Sequence, residues 1–326
     1  MEISLNSVSK EYRIIEKGDS LFKRKKRNIQ ALNDVSFSIK SGEICGLIGL
    51  NGAGKSTLTK ILCGVLSETS GEIKLTLEGK EVIGEEFKKN MSVIFGHRGQ
   101  LWDNLQVADS YEIISRIYDI PRGEFQKRLR CLGQMLELND LLYRPARQLS
   151  LGQRMKCEVA GNLLCMPKLL LLDEPTIGLD ILTKEKIFDT ILAIHKEIEN
   201  TIIFTSHDLK DVGNLCNRIL ILNKGKLIFD DSISTLYETY ANEYIITLKS
   251  PNKLLSIDEL WRILDDYQKN IKNIEYKDNS LLIHVNKEDN SIPFKIMELL
   301  DKELAPNNFD LSTTNFEQII RNIYEG

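Results

Sequence analysis

The chain has 326 residues, 42% hydrophobic and 28% charged, enough apolar material for about two globular domains. This composition excludes a chain disordered throughout, a collagen-like repeat and a small disulfide-rich scaffold. Forty-three Lys and Arg stand against 47 Asp and Glu, net −4, so no overall charge draws the chain to nucleic acid. No apolar run reaches the roughly 20 residues a membrane span needs, and the first residues lack a basic stretch followed by an apolar one. Six cysteines (Cys45, Cys63, Cys131, Cys157, Cys165 and Cys216) include no C-x-x-C pair. Buried reduced thiols are expected, not a zinc site.

In chain order, Ile3–Val8 alternates apolar and polar residues, as a half-buried strand does. Lys23–Arg27 is a basic run that reads as a solvated loop, with anionic lipid contact or a nuclear signal as alternatives. Val35–Ile39 and Ile73–Leu77 alternate like the first run, predicting an antiparallel sheet with one wet face. Ile44–Ile48, Leu169–Leu172 and Ile202–Phe204 are apolar throughout, predicting parallel strands covered on both sides. Residues 105–166 between them read as a helical insertion. Nineteen of the 20 glycines lie between Gly18 and Gly225, and residues 241–326 carry 10 basic against 15 acidic residues. A domain boundary is therefore expected at 240/241. The remainder reads as a small α+β domain, with strands at Glu243–Leu248, Leu281–Val285 and Phe309–Leu311. Its helices are expected at Ser256–Gln268, Pro293–Leu304 and Phe316–Tyr324. His284, on the second of these strands, reads as a structural residue and not a ligand.

The strand Ile44–Ile48 runs into Gly49-Leu50-Asn51-Gly52-Ala53-Gly54-Lys55-Ser56-Thr57, and a helical pattern follows. This G-x-x-x-x-G-K-S spacing supplies glycines for conformations a Cβ forbids, so that successive amides converge on phosphate oxygens at a helix N-terminus. Lys55 reaches the β and γ phosphates in such a loop, and Ser56 offers its hydroxyl to Mg²⁺. The run Leu169-Leu170-Leu171-Leu172-Asp173-Glu174 ends an apolar strand on two carboxylates. Asp173 is the expected Mg²⁺ partner and Glu174 the residue that orients or deprotonates the attacking water.

Leu149-Ser150-Leu151-Gly152-Gln153 precedes that strand, Gly178-Leu179-Asp180 follows it, and Thr205-Ser206-His207-Asp208 follows the next. With the phosphate loop, this ordered set resembles the ATPase subunits of ATP-binding cassette (ABC) transporters over about residues 1–235, Leu151 replacing a signature glycine. The resemblance implies an α/β fold: a P-loop NTPase core with an antiparallel β subdomain and a helical insertion. It implies Tyr12 as an aromatic that stacks on adenine, Asp180 in the loop after the acidic strand, and His207 as the switch histidine. Ser150, Gly152 and Gln153 would meet the ATP of a second subunit. The segment Val93–Trp102 is similar to export-type or multidrug-like members with separate membrane subunits. There His97 stands where the family carries its Q-loop glutamine. Gln100 is the alternative counterpart, and a plain surface histidine the third reading. The implied whole is a homodimer or paired ATPase, closed by Mg·ATP, that drives transmembrane permease subunits from the cytoplasmic side of the cell membrane. No nucleic acid partner is expected. A soluble ABC ATPase of translation or DNA repair is the competing reading. A single phosphate loop, and no coiled-coil or zinc insertion, argue against it.

Overall fold

The computed structural model describes residues 1–17, 24–96, 99–206, 208–241, 243–249, 255–277, 280–287, 289–304 and 308–325, with the backbone alone for 14–17, 24–26 and 325. The chain divides into two compact units, Met1–Ile233 and Ser234–Gly326.

The first unit opens with a long antiparallel pair, β1 (Glu2–Lys17) and β2 (Arg24–Ile39). Ile3 faces Ile39 and Leu5 faces Phe37, and all four are buried. Ile3 and Leu5 keep the expected alternation, and a register shift between Leu5 and Val8 brings buried Val8 to this face out of step. The pairing continues to Lys17↔Arg24. The basic residues 24–27 are thus in strand β2, not in the loop expected, while Lys23 lies outside the described residues.

Next come β3 (Ile44–Gly49), α1 (Lys55–Leu62), β4 (Ser70–Leu77), β5 (Lys80–Glu81), α2 (Gly84–Lys89) and β6 (Met91–Phe95). Strands β1, β2, β4 and β5 form the predicted antiparallel sheet, in the order β2-β1-β4-β5. The helical block follows as α3 (Val107–Ile117), α4 (Arg122–Met135) and α5 (Leu151–Leu163). Fully buried Tyr111 donates its hydroxyl to the Cys157 carbonyl at 2.8 Å, which ties α3 to α5.

The unit closes with β7 (Leu169–Asp173), α6 (Ile181–Ile198), β8 (Thr201–Thr205), α7 (Leu209–Leu215), β9 (Arg218–Asn223) and β10 (Lys226–Ser232). A second sheet runs β10-β9-β3-β8-β7-β6. It is parallel except for the β9–β10 hairpin. Leu169–Leu172 and Ile202–Phe204 are fully buried, as strands covered on both faces must be. In open parallel sheets ligands collect beyond the carboxyl ends of the strands. Here β3, β7 and β8 end at Gly49, Asp173 and Thr205.

The second unit contains α8 (Ile233–Tyr240), β11 (Glu243–Lys249), α9 (Ile257–Ile263), β12 (Ile271–Lys277), β13 (Ser280–Asn286), α10 (Ile292–Leu304), β14 (Asn308–Thr313) and α11 (Phe316–Glu325). Sheet order β12-β13-β11-β14 with all neighbours antiparallel is the split β-α-β arrangement of ferredoxin-like folds. Its core joins Ile246, Leu248, Ile283 and Val285 to Leu260, Ile296 and Leu300. The units part at 233/234, earlier than the 240/241 expected from composition. Tyr237 of α8 stacks on Phe316 of α11, 6.2 Å between ring centres, so this helix goes with the second unit.

Cys45, Cys63, Cys157 and Cys216 are buried and Cys165 half-buried, but Cys131 is exposed on α4, against the expectation that all six are buried. Burial pushes the Cys45 thiol up to about 12. Among the described residues no His/Cys/Asp/Glu group has the makings of a metal site of three or more ligands, and no helix is long and apolar enough to cross a membrane.

Candidate functional site

The phosphate loop lies between β3 and α1. Gly54 holds the start of α1 with φ +111°, and a Cβ there would meet the Ala31 carbonyl oxygen at 2.7 Å. Only glycine meets both conditions. Among the described residues no side chain caps this helix, and its first turn carries no acid. The first amides and the positive end of the helix dipole are therefore left for an outside anion. Lys55, only 6% exposed, donates to the Gly49 carbonyl at 2.6 Å and lies 3.4 Å from that of Leu50. Burial lowers the Lys55 pKa, while Glu174 and Asp173 pull it back up. An ammonium held by two neutral carbonyls and two distant acids is suited to exchange those carbonyls for phosphate oxygens. Ser56 is exposed on the first turn of α1, and Thr57 is half-buried.

The end of β7 supplies the carboxylates Asp173 and Glu174, and the end of β8 the Thr205 hydroxyl beside them. The Thr205 hydroxyl donates to Asp173 Oδ1 at 2.7 Å. The Glu174 amide donates to the Thr205 carbonyl and hydroxyl oxygens, each at 3.1 Å. Glu174 has φ +56°, a left-handed conformation that costs a residue with a Cβ about 1–2 kcal/mol. Gly96, just past β6, packs so tightly on Glu174 that a Cβ would collide with its carbonyl oxygen. The donor set fits Mg·ATP: uncapped helix amides, a buried ammonium, the Ser56 hydroxyl and the Asp173 carboxylate. Tyr12 approaches the same helix, its hydroxyl 3.4 Å from Thr57 Oγ1, with the Lys10 ammonium 5.7 Å from the ring centre.

The signature residues form a different local structure. Ser150 caps α5 and Gln153 answers it, each side chain bonding the other's backbone amide at 3.3 and 3.1 Å. The Ser150 hydroxyl accepts there and keeps its O–H as a donor. Leu151, the departure from the family pattern, is 51% exposed. Gly152 sits beside α6, where an added Cβ would reach Thr183 Cγ2 at 3.4 Å. Asp180 caps α6 by accepting from the Thr183 amide at 3.0 Å and hydroxyl at 2.7 Å, which holds its carboxyl below the usual range.

His97 and His207 lie outside the described residues. Gln100, the alternative to His97, turns its side-chain amide onto the Val93 carbonyl. Its backbone N–H donates to both oxygens of buried Glu158, at 2.8 and 2.9 Å. Sequence reasoning had no signal for Glu158, a carboxylate whose pKa burial raises against the pull of these amides. It also missed what the Thr205 hydroxyl does, although Thr205 opens a quoted motif.

A family model described as ABC transporter matches residues 32–177. The ABC transporter ATP-binding protein NatA of Bacillus subtilis (strain 168) is 32% identical over 224 residues, 68% of this chain and 90% of that protein. The chain belongs to the ABC transporter ATP-binding family. A second member, the methionine import ATP-binding protein MetN of Bacillus subtilis (strain 168), is 30% identical over 272 residues, covering 81% of this ABC protein and 76% of MetN. Its fold matches a dimeric ATP-binding cassette in a post-hydrolysis state bound to ADP and Pi. The TM-score is 0.60 and the identity 24%, over 71% of this chain and 98% of the other. As an ABC ATPase, it hydrolyses ATP.

Proposed function

We propose that this chain is the energy-converting subunit of a transporter whose membrane-spanning subunits are separate polypeptides. The single observation behind this reading is the convergence on the N-terminus of α1. Buried Lys55 opens this helix within the electrostatic reach of Glu174 and Asp173, the latter held by Thr205, and among the described residues no side chain caps the helix. In this reading Gly49, Asn51, Gly52, Ala53, Gly54, Lys55, Ser56 and Thr57 cradle the triphosphate, and Tyr12 stacks on the adenine. Ser56 and Asp173 hold Mg²⁺, which when bound neutralises the phosphate charge that hydrolysis shifts. Glu174 takes the proton of the attacking water or orients it; the family resemblance gives His207 the part of the switch histidine, and His97, or alternatively Gln100, that of the Q-loop glutamine.

Ser150, Gly152, Gln153 and Asp180 serve the nucleotide of a second copy or a paired ATPase. Two ATP molecules then lie between two cassettes, and the dimeric solved relative is in keeping with this arrangement. Closing and reopening drive permease subunits from the cytoplasmic side of the cell membrane, through the loop after β6 and the helical block. The first unit, Met1–Ile233, serves as the ATPase domain and the second, Ser234–Gly326, as an accessory domain. Export is the direction favoured by the segment Val93–Trp102. Import is the second reading, favoured by the methionine import relative.

The decisive experiment uses the purified chain with Mg·ATP. Lys55→Ala should lose nearly all hydrolysis. Glu174→Gln should retain ATP and run as a dimer by light scattering. A Glu174→Gln chain that hydrolyses like the parent overturns the role of Glu174, and one that stays monomeric with ATP bound overturns the homodimer and leaves a paired ATPase. Transport in vesicles with the co-purifying membrane subunit decides direction.

A further inference from the structure

We propose that Lys184 is a positioning residue for hydrolysis, tying the segments that follow β7 and β8 so that Glu174 keeps its geometry. This rests on the reading of Glu174 as the group that handles the attacking water.

Lys184 stands one turn into α6. Its ammonium donates to Asp208 Oδ2 at 2.8 Å and to Asp211 Oδ2 at 2.9 Å. The same Asp211 oxygen accepts from the Thr176 hydroxyl at 2.7 Å. One cation thereby joins three segments: the start of α6, the stretch leading into α7, and the loop two residues past Glu174. Thr176 and Asp211 are buried, at 3% and 4% exposure, so water does not compete for their bond. Asp208 also caps α7 through the Lys210 amide at 3.1 Å, and its own amide donates to Ser206 Oγ at 3.0 Å. Burial works against the Lys184 charge, and the two carboxylates hold it protonated.

The network borders a cavity of about 240 Å³ whose wall includes Glu174, Thr176, Lys184, Ser206 and Asp208. Glu174 lies between two ties. On one side the Thr205 hydroxyl holds Asp173 and the Glu174 amide. On the other, Asp211 holds Thr176. A residue at φ +56° persists only where its surroundings over-determine it. The Thr205 tie fixes the strand ends, and the Lys184 network fixes what comes after them. Without the ammonium, two carboxylates would face each other across a half-buried gap, one of them with little access to water. The segments would separate, and the Glu174 carboxylate with them. Among the described residues the phosphate loop shares no hydrogen bond with this network, so nucleotide capture should survive.

The test is steady-state ATP hydrolysis with thermal unfolding measured alongside. Lys184→Met should lower kcat at least tenfold and leave the half-saturating ATP concentration within twofold, while Lys184→Arg restores most of the rate. Asp208→Asn keeps the α7 cap but breaks one ion pair. It should lower kcat severalfold with little change in Tm, and it serves if Lys184→Met folds poorly. Adding Asp211→Asn to Lys184→Met removes the stranded buried charge. Recovery of Tm without recovery of kcat supports positioning. Recovery of both, or an unchanged kcat in Lys184→Met or Asp208→Asn, overturns the proposal. Glu174→Gln run in parallel separates the two readings: hydrolysis by that variant removes the role of Glu174 whatever the Lys184 series gives.

Discussion

Thr205 bridges to Asp173 through its hydroxyl at 2.7 Å, and the same oxygen accepts the Glu174 amide at 3.1 Å. One buried hydroxyl thus fixes the side chain of one acid and the backbone of the next. Thr205→Val keeps the shape and removes both bonds. Leaving buried polar groups without their partner costs about 1–3 kcal/mol. The expected result is a lower Tm and a kcat reduced roughly tenfold, with Thr205→Ser close to the parent in both. Steady-state hydrolysis and a thermal melt on the three proteins check this.

Tyr12 lies beside Thr57 at the start of α1, with Lys10 near its ring. If the base of ATP stacks there, Tyr12→Ala loses about 1–3 kcal/mol of stacking, the size seen for base–aromatic contacts. The half-saturating ATP concentration should rise roughly 5- to 150-fold with kcat at saturation unchanged, and Tyr12→Phe should behave like the parent. A Tyr12→Ala chain with unaltered ATP dependence removes Tyr12 from the site.

In the second unit, His284 has Nδ1 at 3.5 Å from Glu243 and Nε2 at 3.6 Å from Glu275, and Lys272 lies 3.7 Å from Glu243. Bonding to Glu243 raises the His284 pKa above its ordinary 6.5, against the effect of burial, and holds the Glu243 carboxyl below 4.5. The histidine contribution is fully present below pH about 6.5 and is lost as pH rises through the raised value. The glutamate contribution is present above pH about 4.5 and is lost as pH falls through the lowered value. The second unit should therefore gain most from this pair between pH 4.5 and 6.5 and weaken toward pH 8. Trp261 packs against the core of that unit, and Trp102 is the other tryptophan of the chain. In a Trp102→Phe background, Trp261 fluorescence should report a lower unfolding midpoint at pH 8 than at pH 6. His284→Gln should remove that difference.

What the residues disclosed in advance depends on how local the determinants are. The phosphate loop needs only closely spaced glycines and a lysine within one short segment, so it is readable from Gly49 to Thr57. The alternation of Ile3–Val8 and the unbroken apolarity of Leu169–Leu172 each encode one kind of sheet face. Strand β12 was not anticipated, because a register shift between Ile271 and Asn273 breaks its two-residue period. The helix expected at Ser256–Gln268 stops at Ile263 and continues as a short 3-10 turn at Asp265–Tyr267. Two adjacent aspartates, Asp265 and Asp266, weaken a helix interior there. Lys184, Asp208 and Asp211 come from two helices 24 and more residues apart in the chain. No spacing rule predicts such a meeting, since it arises only when β7 and β8 pair.

The left-handed backbone at Glu174 has a consequence for engineering. A glycine at 174 would release that strain, about 1 kcal/mol in favour of the folded chain, and would remove the carboxylate in the same step. On the role proposed for Glu174, a library selected for heat tolerance alone would be drawn toward inert proteins at this position. Any campaign for a hardier pump motor has to score turnover in every round.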